Sequence, residues 1–226
     1  MDSTLNSKRT LSSLPALYPI ANIDSLRQPL VFVEQVLSAG AEILQLRSKQ
    51  LDDRSFLDFA LKAVKIRDQI SLSSGQRCVL LLNDRVDLSS ISGADGVHLG
   101  QDDLPVPETR KLLGEAAVIG LSTHNRAQLE SAPQEMLDYL AIGPIFQTSS
   151  KRNPDPTLGL NSLQDLSKRI FRPLVAIGGI TEQNADEVFR GGAQSVAMIS
   201  ALERCKELSE TIARVSKLRA YTQAVV

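Results

Sequence analysis

Cysteine is nearly absent from this chain of 226 residues, neither sign of charge is in excess, and no hydrophobic run is long. Each shortage excludes something. The two cysteines, Cys78 and Cys205, lack CxxC spacing, so neither a disulfide framework nor a thiolate metal site is expected. They read as reduced packing residues, which fits a cytoplasmic protein. With 25 basic against 26 acidic side chains the net charge is −1, so neither nucleic acid nor a membrane surface is an expected partner. The longest apolar runs reach about half of a membrane span. Met1 to Leu14 is polar and lacks the apolar segment of a signal peptide; it reads as a disordered tail.

What the chain does have is alternation. Hydrophobic residues make up 42% of it, enough for one substantial core. Eight short apolar runs recur: Leu17–Ile20, Ile43–Leu46, Cys78–Leu82, Gly96–Leu99, Val118–Leu121, Tyr139–Ile142, Leu174–Ile177 and Ser195–Ile199. Most are rich in Val, Ile and Leu and are bounded by Gly or polar residues, as strands buried on both faces are. Helical patterns lie between them. Leu30, Val33 and Leu37 share a face before Gly40, and Asp52 or Asp53 can cap a helix with Phe56, Phe59, Ala60 and Ala63 inside. Thr181 can cap a helix carrying Ala185, Val188 and Phe189, and a last helix is expected from about Leu202 to Leu218. The helix signal is weakest after the third run. Eight βα units with no linker predict an α/β fold, a single-domain (β/α)₈ TIM barrel over residues 15–220, with a short tail at 221–226. An open doubly wound sheet is the structural alternative.

In a barrel the loops after the strands gather on one face, where the chemistry of this fold sits. Strand two ends in Gln45, Arg47 and Lys49, which alternate onto one side where core residues would otherwise point. Two converging cations suit an anion with several oxygens, such as a diphosphate. Asn83 and Asp84 end strand three, and Asp102 and Asp103 follow strand four in HLGQDD. Two carboxylates on adjacent loops suit Mg²⁺, which takes few protein carboxylates together with water and phosphate oxygens. His98 reads as out of phase with the mouth and as a packing or supporting residue. Ser122 and His124 follow strand five; with no acid in a recognisable motif, Ser122 reads as a ligand hydrogen-bond donor rather than a nucleophile. Strand six runs into TSSKRNPDPTLG, which opens with three hydroxyls and two cations side by side, in a loop longer than compact domains ordinarily tolerate without a function. Gly178 and Gly179 allow close backbone approach, and Ser200 offers a hydroxyl and an N–H after strand eight, where this fold commonly binds phosphate.

Taken in order, LQLRSK, NDRVDL…GADGVHLGQDD, GPIFQTSSK, AIGGI and SVAMIS resemble the thiamine-phosphate synthase family from about Leu17 to Leu202. The resemblance implies that an aminopyrimidine diphosphate loses pyrophosphate with Mg²⁺ assistance and that the ring nitrogen of a thiazole phosphate captures the resulting cation. It further implies that Gln45, Arg47, Lys49, Asn83, Ser122 and Lys151 hold the pyrimidine diphosphate and that Asp84 and Asp103 hold Mg²⁺. Thr148, Ser149 and Ser150 would meet the thiazole phosphate, whose phosphate group Gly179, Ile199 and Ser200 would bind. Arg47, Lys49, Lys151 and Ser122 are the expected catalytic groups. A neutral ring nitrogen needs no strong base, which agrees with a chain holding two histidines. One departure stands out: Thr148-Ser149-Ser150-Lys151 replaces the usual Thr-x-Thr-Lys. Thiazole phosphate tautomerases of the same superfamily often carry Thr-x-Ser-Lys and use a histidine near the place of His124. Those relatives typically lack the second acidic ligand, which here is Asp103. A non-catalytic binder of thiazole or thiamine phosphate is a third reading, against which the charged mouth argues. A sugar-phosphate isomerase would want a placed acid and base that the chain does not offer.

Overall fold

The computed structural model describes residues 13–148 and 155–225. Its strands are β1 (Leu17–Asn22), β2 (Ile43–Arg47), β3 (Val79–Asn83), β4 (Gly96–Leu99), β5 (Val118–Thr123), β6 (Tyr139–Ile142), β7 (Leu174–Ile177) and β8 (Ser195–Met198). Each pairs in parallel with its neighbours in sequence, and β1 pairs with β8, so the sheet closes into the expected barrel. The open-sheet alternative is excluded by that last pairing. Helices α1 (Pro29–Ser38), α2 (Asp53–Ser74), α3 (Val86–Ser92), α4 (Val106–Leu113), α5 (Arg126–Ser131), α6 (Gly159–Ser167) and α7 (Ala185–Arg190) separate successive strands. Two further helices, α8 (Ser200–Glu203) and α9 (Leu208–Val225), follow β8.

Local chemistry explains most boundaries. Asp52 caps α2 by accepting from Ser55 N at 2.8 Å, and Gly75 ends that helix with φ of +72°. Phe56, Phe59, Ala60 and Ala63 form its buried face. Three expectations need correction. Thr181 does not cap α7; Asn184 precedes that helix, and its side chain turns back to accept from Thr181 N at 2.8 Å. The expected final helix is two helices, broken around Cys205, whose Sγ lies 3.1 Å from Thr211 Oγ1. Its second part continues to Val225, beyond the expected end. Leu14, placed in the N-terminal tail by sequence, is buried in the barrel interior and accepts a hydrogen bond from the Arg219 guanidinium through its carbonyl. Residues 1–12 lie outside the described part of the chain.

The barrel divides its hydrophobic residues between two cores. Alternate strand positions meet the helices in an outer layer that includes Leu44, Leu46, Leu80, Leu82, Val97 and Leu99. The opposite positions, among them Tyr18, Ile20, Ile43, Leu81, Val118, Tyr139 and Val175, fill the interior. Gly120 is required there. A Cβ at Gly120 would lie 2.0 Å from Tyr139 Cζ, so the missing side chain is what lets the tyrosine ring lie inside the barrel. Gly120→Ala is therefore expected to destabilise the fold by about 1–3 kcal/mol through overpacking. A thermal melt checks this; an unchanged midpoint would mean the ring has room to move.

Candidate active site

The carboxyl ends of the strands surround a cavity of about 530 Å³. Gln45, Arg47, Lys49, Asn83, Asp84, Asp103, Ser122, Thr148, Gly179, Ile199 and Ser200 all line it. Thus residues from seven strand ends, nominated separately from sequence, meet in one place. Ser149, Ser150 and Lys151 lie outside the described residues.

On one wall, Arg47 donates from Nη1 to Asn22 Oδ1 at 2.8 Å, so β1 holds the guanidinium that ends β2. Asp24 secures the following turn, accepting from Lys49 N at 2.7 Å and from Ser48 Oγ at 2.5 Å. The Lys49 ammonium forms an ion pair with Asp84 while its side chain remains 55% exposed, so it can exchange that partner for a ligand anion. Asp84 has φ of +64°, an uncommon conformation for a residue with a side chain. Burial holds its carboxyl above the usual carboxylate range; Lys49 pulls it down, and the Asp103 carboxylate beside it pushes it up again. Asp103 also accepts from Gly100 N at 2.6 Å, which ties it into its turn. Two hard oxygen donors sharing a site suit a divalent cation such as Mg²⁺. Among the described residues no group of three or more His, Cys, Asp or Glu could hold a metal, so other ligands would have to come from substrate and water.

Asn83 supplies a second sign of a ligand. It is 7% exposed, lines the cavity, and its Nδ2 has no hydrogen-bond partner among the described residues. A buried donor left this way costs about 1–3 kcal/mol, which a bound acceptor would relieve.

His98 requires a correction. The sequence placed it out of phase with the mouth, but β4 directs it inward, opposite Asn83 in the β3–β4 register. Its Nε2 lies 2.8 Å from Ser122 Oγ and its Nδ1 lies 2.8 Å from Tyr139 Oη. The Nδ1 partner is a phenol, Tyr139 Oη, where a serine nucleophile's base is ordinarily oriented by a carboxylate. Ser122 is further framed by Gln101, whose Nε2 donates to its carbonyl at 2.6 Å. Sequence reasoning missed Tyr18 and Tyr139, because both sit in apolar runs that read as plain core. Strand parity was the available signal, since Tyr18 shares a face with Ile20 and Tyr139 with Ala141.

Gly178 and Gly179 serve the sixth loop. Both have positive φ, and a Cβ on either would meet Pro144 Cα or Gln147 O at 2.5 Å. Their neighbourhood anchors the loop base: Ile145 N donates to Ile177 O at 2.9 Å and Phe146 N to Gly178 O at 3.0 Å. The expected close backbone approach is therefore made to Pro144 and Gln147, while both glycines also line the cavity. At the loop's far side, Asp155 Oδ2 lies 3.4 Å from His124 Nδ1. Arg204, not foreseen from sequence, joins the rim beside Ser200, to whose carbonyl its Nε donates at 3.0 Å.

Comparison with known proteins gives the family. The family model described as thiamine monophosphate synthase matches residues 17–202. A thiamine-phosphate synthase of Koribacter versatilis is 43% identical over 195 residues, covering 84% of this chain and 89% of that protein. Another, from Chlorobium phaeovibrioides, is 43% identical over 176 residues, or 78% of this chain and 81% of its own. Among solved structures, a thiamine phosphate pyrophosphorylase from Pyrococcus furiosus superposes with a TM-score of 0.78 at 26% identity, covering 92% of this chain and 96% of that one. With the match spanning nearly all of the barrel, the chain belongs to the thiamine monophosphate synthase family.

Proposed function

We propose that the barrel is a thiamine-phosphate synthase, a transferase that couples an aminopyrimidine diphosphate to a thiazole phosphate and releases pyrophosphate. The observation that carries this reading is the junction of Asp84 and Asp103 with the Arg47 and Lys49 cations around one cavity. Carboxylates and cations in a single mouth suit a diphosphate and its counter-ion better than either set would alone.

In this reading Arg47 and Lys49 bind the diphosphate and stabilise the negative charge that grows on it as the methylene carbon–oxygen bond breaks. Asp84 and Asp103 would hold Mg²⁺, which would supply positive charge to offset that of the leaving pyrophosphate. Lys49 then gives up Asp84 and turns to the anion. Asn83 Nδ2, unpartnered among the described residues, donates to the same ligand. Gln45 and Ser122 contact the pyrimidine ring and orient it. Thr148, Ser149, Ser150 and Lys151 meet the two substrates from the sixth loop, and Gly179, Ile199 and Ser200 take the thiazole's phosphate. No side chain is needed as a strong base, because the thiazole nitrogen attacks with its own lone pair. Reduced Cys78 and Cys205 fit a cytoplasmic setting. No helix among the described residues is long and apolar enough to cross a membrane.

The Asp84–Asp103 pair favours the synthase over the tautomerase, since tautomerisation leaves no diphosphate to be neutralised. Purified protein, incubated with the pyrimidine diphosphate, thiazole phosphate and Mg²⁺, is expected to yield thiamine phosphate and pyrophosphate. Absence of product under conditions where both substrates bind would remove the synthase assignment.

A further inference from the structure

Beneath the cavity floor, five side chains form one unbroken hydrogen-bond chain. Gln45 Nε2 donates to Tyr18 Oη at 2.9 Å, and Tyr18 Oη lies 2.7 Å from Tyr139 Oη. Tyr139 Oη lies 2.8 Å from His98 Nδ1, whose Nε2 is 2.8 Å from Ser122 Oγ. The three central residues are buried, with Tyr18 1%, Tyr139 0% and His98 7% exposed. The rings also pack, Tyr139 stacking on His98 at 5.6 Å between centroids and meeting Tyr18 edge-on. Both ends, Gln45 and Ser122, line the cavity.

Each phenol has one proton, so the links are not independent. With Gln45 donating to Tyr18, the Tyr18 proton must go to Tyr139 if it is not to be stranded in the barrel. The Tyr139 proton then goes to His98 Nδ1, and His98 carries its own proton on Nε2 and donates it to Ser122. Burial pushes both phenols above their ordinary range, so they remain proton donors. With Gln45 donating from Nε2, the polarity at the cavity follows. Gln45 presents its Oε1 acceptor, and Ser122 presents a free O–H. The opposite polarity requires the Gln45 amide to turn over and every link to reverse with it.

We propose that Tyr18, Tyr139 and His98 are positioning residues whose relay sets an acceptor at Gln45 and a donor at Ser122, and so selects an aminopyrimidine over its oxo counterpart. The identity of the ligand rests on the synthase reading; the relay itself does not. An aminopyrimidine edge offers an amino hydrogen to the acceptor and a ring nitrogen to the donor. The oxo compound reverses both, offering a carbonyl and a ring N–H. The diphosphate arm, held by Arg47 and Lys49, prevents the ring from turning over to compensate.

Two measurements test the relay, and neither needs turnover. The first is the tautomer of His98 in wild-type protein by ¹⁵N NMR, with His124→Asn assigning the other of the two histidines. A proton on Nε2 and a bare Nδ1 are expected; a proton on Nδ1 would overturn the proposal. The second is calorimetric affinity for the amino and oxo pyrimidine diphosphates with Mg²⁺ and no thiazole phosphate. Wild type is expected to prefer the amino compound by about 100-fold or more, as sites that hydrogen-bond a ligand do. Tyr18→Phe and Tyr139→Phe should each narrow that ratio by about tenfold or more, since removing one link frees the polarity of the rest. Phenylalanine keeps the ring packing, and a loss of affinity for both compounds with an unchanged ratio would reduce the tyrosines to structural residues and overturn the proposal. Amino-selective binding that depends on the tyrosines, in a protein that forms no thiamine phosphate, would instead remove the synthase reading and leave the relay in place.

Discussion

Asp103→Asn is expected to lower Mg²⁺-dependent pyrophosphate release by about a thousandfold while the protein stays folded. Asparagine keeps an oxygen to accept from Gly100 N, now bonded at 2.6 Å, so the turn after β4 is retained. What it removes is charge. In the proposed mechanism a neutral amide beside Asp84 weakens the hold on Mg²⁺ and leaves the departing pyrophosphate less neutralised. Asp84→Asn should behave alike, and Asn tolerates the φ of +64° found there better than most residues do. Pyrophosphate release measured across a Mg²⁺ titration separates the effects, a weaker metal site moving the midpoint as well as the plateau. Unchanged activity and an unchanged midpoint in Asp103→Asn would remove Asp103 from the metal site.

The largest stability effect is expected at the other end of the barrel. Arg67 on α2 and Asp95, just before β4, are 4% and 6% exposed, and Arg67 Nη1 donates to Asp95 Oδ2 at 2.5 Å. The same carboxylate oxygen accepts from Leu80 N at 2.8 Å. Asp95→Ala leaves the buried guanidinium only the half-exposed Asp68 carboxylate, bonded at its Nε and Nη2, and unpairs a strand N–H. Removing one partner of such a pair costs about 3–5 kcal/mol, or roughly 6–20 °C in melting temperature for a chain of this size. Adding Arg67→Met to Asp95→Ala should recover much of the loss, because no charge is then left in the apolar layer. The Leu80 N–H stays unpaired, so recovery is incomplete. Below its melting temperature Asp95→Ala should keep near-normal activity, since the pair lies at the amino ends of the strands and the cavity at their carboxyl ends. A melt no different from wild type would show that solvent or a neighbour replaces the carboxylate.

Much of this was legible in the residues. Short runs of Val, Ile and Leu, apolar at consecutive positions, read as strands covered on both faces, and eight of them with helices between fit few other closed forms. The capping aspartate of α2 and the cations of β2 could be read from local chemistry, because strand parity and cap preferences act over a few residues. The misreadings were also local in origin. Thr181 and Asn184 are both plausible caps by residue type, and the turn between them decided the matter through a single hydrogen bond. The break near Cys205 carries no strong helix breaker, so nothing in the pattern announced it.

His98, Tyr18 and Tyr139 mark the limit more clearly. Their strands are 121 residues apart at the extremes, and no rule of spacing connects Tyr18 to Tyr139. By itself the sequence determined the fold class, the family and the charged mouth, because periodicity and ordered motifs act along the chain. Only the tertiary structure decided which polar groups touch inside the barrel. Closing the sheet sets the strand register and turns alternate side chains inward, and the space left at Gly120 lets Tyr139 reach His98. That closure makes three apparent core residues the link between Gln45 and Ser122.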